Sequence, residues 1–213
     1  MYWILAIFLL GFQRTTVAET KPLYENNFQN AQVGTVPADF LVLDGGFVVK
    51  EESGNRFLEL PGSPLDSFAA QFGPAEADNA TVAARIRSTS KGRRFPTFGV
   101  GLNGVAGYRL QVSPARKTLE LYKDQALKSS MPYEWKSQQW TKLRLQVRKL
   151  KEGSWKVQAK AWPEEQPEPT SWLVAYDDSE APPNGKASIF GSPFSGTPIQ
   201  FDDLVVTRTQ LPP

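Results

Sequence analysis

In ATVAARIRS, residues 80–88, Val82, Ala84 and Ile86 alternate with Ala83, Arg85 and Arg87, and this period of two recurs along the chain. Successive side chains of a β-strand point to opposite faces, so such a segment buries one face and shows the other to water. The pattern returns in YRLQV (108–112), TLELYK (118–123), KLRLQVRK (142–149) and WKVQAKAW (155–162). Further strands are expected in FLVLDGGFVVKE, RFLELP, SFAAQFG, PTFGVGL, ASIFG and IQFDDLVVT. No segment of helical length carries an amphipathic stripe. Turn residues separate the strands: Asp44-Gly45-Gly46, Ser53-Gly54-Asn55, Asn103-Gly104, Ser113 to Lys117 and Glu152-Gly153. Ten or so strands, each with one buried face, imply an all-β fold in which two antiparallel sheets pack face to face, and a jelly-roll sandwich fits best.

The chain has 213 residues, enough for one well-buried domain, and it contains no cysteine and no histidine. That excludes thiol nucleophiles, disulfides, histidine acid-base catalysis and the usual zinc sites. Near the N-terminus, Ile4 to Phe12 is an unbroken apolar run too short to span a bilayer. It is followed by QRTTVA, with the small residues Thr16 and Ala18 where a signal peptidase would cut. We read residues 1–18 as a signal peptide and 19–213 as a single exported domain, periplasmic or extracellular in a bacterium, with no integral membrane domain after cleavage. The n-region, Met1-Tyr2-Trp3, carries no lysine or arginine, so an uncleaved anchor is the alternative. A net charge of +2 and one short basic cluster, Lys91 to Arg94, argue against nucleic acid as a partner.

The C-terminal stretch WKVQAKAWPEEQPEPTSWLVAYDD, followed by NGKASIFGSPFSGTPIQFDDLVV, resembles the C-terminal half of concanavalin A-like lectin/glucanase domains, particularly the laminin-G-like and family-16-like modules of bacterial exported proteins. YENNF and GYRLQV fit the first strand and a mid-sheet strand of that architecture. The resemblance implies a curved sandwich whose concave face binds glycans, in some members with glycoside hydrolysis, in others with calcium near the joined terminal strands. For calcium the candidates are Asn26, Asn27, Asp202 and Asp203, which converge if first and last strands pair.

Glycoside hydrolysis requires two carboxyl groups flanking the scissile bond. The strand of family-16 glucanases that presents both acids has its nearest match at Leu119 to Lys123, where Glu120 is followed two positions on by Tyr122 rather than by an acid. Asp202 and Asp203 are adjacent, which on a regular strand sends them to opposite faces, and Glu164, Glu165 and Glu168 fall in a proline-rich loop expected to be solvated. Binding without catalysis is therefore the leading reading. A glycoside hydrolase-like enzyme is the alternative, and a structural or adhesive envelope protein a third.

The outward-facing set supplies the candidate ligand-binding residues Arg85, Arg109, Gln111, Glu120 and Tyr122, whose guanidinium, amide and ring groups suit sugar hydroxyls and C–H faces. Solvated strand faces with cross-strand ion pairs are the plainer alternative. Arg94 adds a basic rim, and Trp135, beside Tyr133, is the candidate exposed platform for a sugar ring. Trp140 and Trp155 are expected to seal the core edge, and Trp162 and Trp172 to pin the PEEQPEP loop. GVGLNG, residues 99–104, has the G-x-G-x-x-G spacing of a dinucleotide-binding turn, but the alternating strand YRLQV follows it and no helix starts there to face a phosphate. Gly99 and Gly101 instead mark a strand face bare of side chains, where a ligand could approach the backbone.

Overall fold

The computed structural model describes residues 21–63 and 66–209. The expected signal peptide lies outside the described residues. Among those described, no helix is long and apolar enough to cross a membrane.

Among the described residues fifteen strands follow one another: β1 (Tyr24–Asn26), β2 (Leu41–Asp44), β3 (Val48–Glu52), β4 (Asn55–Leu60), β5 (Phe68–Glu76), β6 (Ala80–Ser88), β7 (Thr97–Leu102), β8 (Tyr108–Ser113), β9 (Thr118–Lys123), β10 (Ala126–Pro132), β11 (Thr141–Lys151), β12 (Ser154–Pro163), β13 (Val174–Asp178), β14 (Gly185–Ser192) and β15 (Ile199–Arg208). They form two antiparallel sheets. The first has the order β13-β12-β11-β6-β15-β4-β3 with β1 also on β15, and the second has the order β10-β9-β8-β7-β14-β5-β2. This is the all-β, two-sheet jelly-roll sandwich that the alternation implies. The patterned strands all form; β10, ALKSSMP, has no alternation to announce it and is held by pairing with β9 at the sheet edge.

Between the sheets lies one core. Val82 and Ile86 of β6, Leu143 and Leu145 of β11 and Phe201 of β15 meet Phe72, Phe98, Tyr108 and Leu110 of the second sheet, all fully buried. Each such side chain contributes roughly 1.5–3 kcal/mol through burial, so a one-residue slip that turned β6 over would sacrifice several at once.

Turns behave in two ways. Ser53 and Gly54, at φ 53° and 80°, close the β3–β4 hairpin as a two-residue turn whose left-handed pair matches the twist of its strands. Asp44-Gly45-Gly46 instead carries the chain from β2 in the second sheet to β3 in the first. Gly45 has φ 103°, and a Cβ there would lie 2.8 Å from Phe68 Cβ, so the crossing requires glycine on both counts.

β15 organises the first sheet. On one side it pairs with β6 throughout; on the other, Ile199–Phe201 pair with β4 and Leu204–Val206 with β1. The register shifts between Asp202 and Val205, and Asp203 takes φ 48°. This β-bulge falls where β15 changes partner, and it corrects the expectation that Asp202 and Asp203 point to opposite faces. The extra residue breaks the alternation, and both carboxylates reach Arg85.

Candidate functional site

Each sheet has an outer face, and the candidate residues divide between them. Arg85 lies on the first sheet, whereas Arg109, Gln111, Glu120 and Tyr122 lie on the second. Arg94 sits in the connection from β6 to β7, bridged to Lys91 and donating to the Ser195 carbonyl at 3.2 Å. Trp135 belongs to the β10–β11 connection. The structure therefore does not bring the set together.

On the second sheet the polar groups are turned on one another. Glu120 is only 2% exposed. Its carboxylate accepts hydrogen bonds from Ser113 (2.7 Å), Thr118 (2.8 Å), Tyr122 (2.8 Å), Gln111 (3.1 Å) and Arg116 (3.2 Å). Burial alone would raise this carboxyl, but the hydrogen bonds outweigh it and hold it below the usual carboxylate range. Arg109 lies over both Tyr122 and Phe190, with its guanidinium carbon 5.6 and 5.4 Å from the ring centroids. The face above Gly99 and Gly101 is not bare. A Cβ on Gly99 would meet Phe190 Cζ at 2.6 Å, and one on Gly101 would meet Ser188 Oγ at 2.5 Å. Gly99 makes room for the Leu110 carbonyl of β8, which such a Cβ would overlap, as well as for Phe190, and Gly101 for Ser188, rather than for a ligand. Trp135, expected as an exposed platform, is half-buried instead, edge-on to Phe98 with centroids 5.9 Å apart.

The first sheet carries an open trough. Arg87, Arg85, Ala83 and Thr81 of β6 line its length in turn, and β11 and β15 flank it. At one end a hollow of about 500 Å³ is lined by Phe57, Arg85, Arg87, Trp140 and Glu164. In the middle a hollow of about 390 Å³ has Ala83, Arg85, Lys142, Arg144, Trp162 and Glu168. At the far end a hollow of about 360 Å³ has Thr81, Ala83, Arg144, Gln146, Trp172 and Thr207. Adjacent hollows share Arg85 or the pair Ala83 and Arg144, so they adjoin. The floor is low at Ala83 because its side chain is a single methyl, placed between Arg144 and Val205 on the neighbouring strands.

The proline-rich loop after β12 forms one wall. Of the three glutamates expected to be solvated, Glu165 is exposed, whereas Glu164 pairs with Arg85 at 3.1 Å, and Glu168, itself exposed, pairs with Arg144 at 2.7 Å and Lys160 at 2.8 Å. Lys160 lies over the rings of both Trp162 and Trp172, so these tryptophans do pin the loop to the sheet. Trp155 is buried in the core as expected. Trp140 is not a core-edge residue. It packs edge-on to Phe57 on the outer face, with the guanidinium carbons of Arg85 and Arg87 4.7 and 5.0 Å from its centroid.

Arg85 is the electrostatic centre of the trough. Its Nη2 donates to Asp202 Oδ2 at 2.6 Å, and its Nε is 3.0 Å from Asp203 Oδ2, close enough for an ion pair though not aligned for a hydrogen bond. Asp202 is fully buried and also accepts from Asn55 Nδ2 at 3.0 Å and from the Asp203 backbone N–H at 2.8 Å. Burial is the largest influence on its carboxyl and raises it above the usual range, although Asn55 and Arg85 pull the other way. The three carboxylates that could have formed an acid-base pair thus converge on one guanidinium.

The same geometry tests calcium. First and last strands do pair, Asn26 opposite Leu204, which is the premise of the expected site. Yet the Asn26 and Asn27 side-chain oxygens accept from the backbone N–H groups of Phe28 and Gln29, and Asp202 and Asp203 hold Arg85. A dication wants several free oxygens, and these are committed and share their space with a cation, so the set does not fit calcium. Among the described residues there is no group of three or more acidic, cysteine or histidine side chains placed to hold a metal ion.

The same fold is found in several solved structures. The metal-free carbohydrate recognition domain of Emp46p superposes with a TM-score of 0.61 at 10% identity, covering 91% of this chain and 100% of that one. The calcium- and Man3GlcNAc-bound exoplasmic domain of VIP36 gives 0.58 at 8%, covering 91% and 92%. The carbohydrate-binding module CBM66 from Bacillus subtilis gives 0.55 at 8%, covering 79% and 95%. The chain has the concanavalin A-like jelly-roll fold of these domains. No protein-family model matches it, and no curated protein matches it by sequence.

Proposed function

We propose that the protein is an exported module that binds a glycan, without catalysis, in the trough on the outer face of the first sheet. The observation that carries this reading is the trough's lining: half-buried tryptophans, Trp140 and Trp172, at its two ends beside guanidinium, amide and hydroxyl groups. Indole faces stack on the C–H faces of pyranose rings, while fixed planar donors take pairs of hydroxyls. Structural neighbours named for carbohydrate binding support the same class of ligand. Binding without hydrolysis is supported by the engagement of Asp202, Asp203 and Glu164 with Arg85, which leaves no adjacent acid and base free. Export rests on the N-terminal apolar run, Ile4 to Phe12, and the small residues Thr16 and Ala18 that follow it.

A glycan array probed with residues 19–213 tests the proposal. A saccharide class should be retained, and Trp172→Ala and Arg144→Ala should each weaken its binding by roughly tenfold or more, the loss of about 1.4 kcal/mol, with circular dichroism unchanged. Retention of no glycan by the folded protein would overturn it.

A further inference from the structure

The trough has a direction and a repeat. It follows β6 from Arg87 to Thr81, six strand rises or about 20 Å, which exceeds what one sugar ring fills. Along that length come three adjoining hollows: half-buried indoles, Trp140 and Trp172, line the two end ones, while Trp162 beneath the middle one is buried. Each hollow has its own hydrogen-bonding side chains, Arg87 in the first, Lys142 and Gln166 in the second, and Gln146 and Thr207 in the third. A site for a single terminal sugar needs one platform and a closed end. Two indoles at the ends of a trough with a low floor between them fit successive rings of one chain.

The charges set the chemistry of that chain. Every charged side chain lining the three hollows has an opposite charge within 3.9 Å: Arg85 with Asp203 and Glu164, Arg87 with Glu52, Lys142 with Glu164, Arg144 with Glu168, and Arg208 with Glu76. Their donors and acceptors still point into the trough, but no unpaired charge remains to attract a polyanion. We infer that the trough takes an internal stretch of a linear, neutral polysaccharide, one ring to each hollow, running along β6 across Ala83. This rests on the glycan-binding reading above and specifies the ligand class within it.

The test uses residues 19–213 and named polymers. Affinity electrophoresis through gels containing β-glucan, mannan, xylan or galactan is compared with gels containing alginate or polygalacturonate. Oligomers of the best binder, from the monosaccharide upward, are then titrated by calorimetry. A neutral polymer should retard the protein equally at low and high salt, since paired charges leave little to screen. Affinity should climb with oligomer length until the hollows are filled and then level off, with the monosaccharide weaker by roughly 100-fold or more. Ala83→Trp, which raises the floor midway on an outward-facing position, should remove the gain from length. Should that variant fail to fold, Trp172→Ala at the rim serves instead and should shorten the length at which affinity levels off. Equal affinity for monosaccharide and long oligomer, or salt-sensitive binding to the acidic polymers alone, overturns the inference while leaving glycan binding intact. Retardation by no polymer, with no saccharide bound, overturns both.

Discussion

The two outer faces of the sandwich are made from the same kinds of residue and do opposite things. Both present arginine, carboxylate and aromatic side chains at alternate positions of long antiparallel strands. On the second sheet, Glu120 gathers five donors, and Arg109 lies over Tyr122 and Phe190, so the face closes on itself. On the first sheet the charges also pair and lie over indoles, but the bulge at Asp203 and the Pro163–Trp172 loop gather those pairs around Arg85 and Arg144 and leave Ala83 and Thr81 as a low floor. Polar composition is therefore a poor guide to a binding face. What decides is whether the paired groups leave a stretch of small side chains open between them.

The largest expected effect comes from breaking the closed face at its centre. Glu120→Ala strands the buried Ser113 hydroxyl and the half-buried donors of Gln111, Thr118 and Tyr122, and should cost about 3 kcal/mol of stability, read by denaturant unfolding, with glycan affinity unchanged. A loss of affinity at unchanged stability would reverse the assignment of the two faces. Arg109→Ala is milder: losing its ring contacts should cost about 1 kcal/mol, and retention on a glycan array should persist.

Acid titration sharpens the contrast because one buried carboxyl on each face, Glu120 and Asp202, is shifted in the opposite direction to the other. Glu120, held low when folded, contributes stability that is present above its unfolded pKa of about 4.3 and is lost as pH falls through the folded value. Asp202, held high, has the opposite sign: the folded state keeps its proton longer, so this group lowers stability as pH rises from about 3.9 through the folded value. Carboxyl carbon shifts followed by NMR should place the Glu120 midpoint below that of Asp202, and the reverse order would contradict the hydrogen-bonding described. The smallest expected effect is that of calcium. Millimolar calcium or a chelator should leave the melting temperature unchanged, because Arg85 already sits against Asp202 and Asp203. A rise with calcium would show that the arginine yields its place.

Most of the fold was legible because burial on one face imposes a period of two, and β6, β8, β9, β11 and β12 all carry it. The site was less so. Period two says that Arg85 and Arg109 face away from the core, but a sandwich has two outer faces, and only the long-range strand order separates them. The Asp203 bulge leaves no local mark, since a non-glycine residue at φ 48° is selected by the change of partner from β4 to β1. Glu164 and Glu168 sit among prolines, which read as a solvated loop until the sheet supplies Arg85 and Arg144 as partners. Of the trough's tryptophans, Trp162 and Trp172 were visible in their role as pins, but not that the wall they fasten borders a row of hollows.

That wall has a thermodynamic consequence. Pro163, Pro167 and Pro169 restrict the loop's backbone, and Glu164 and Glu168 tie it to two strands, so its conformational entropy is given up at folding rather than at binding. A ligand therefore meets a surface already in its final shape. Free and loaded protein should superpose along residues 163–172, and the heat capacity change of binding should reflect the covered area alone, without an added contribution from ordering the chain.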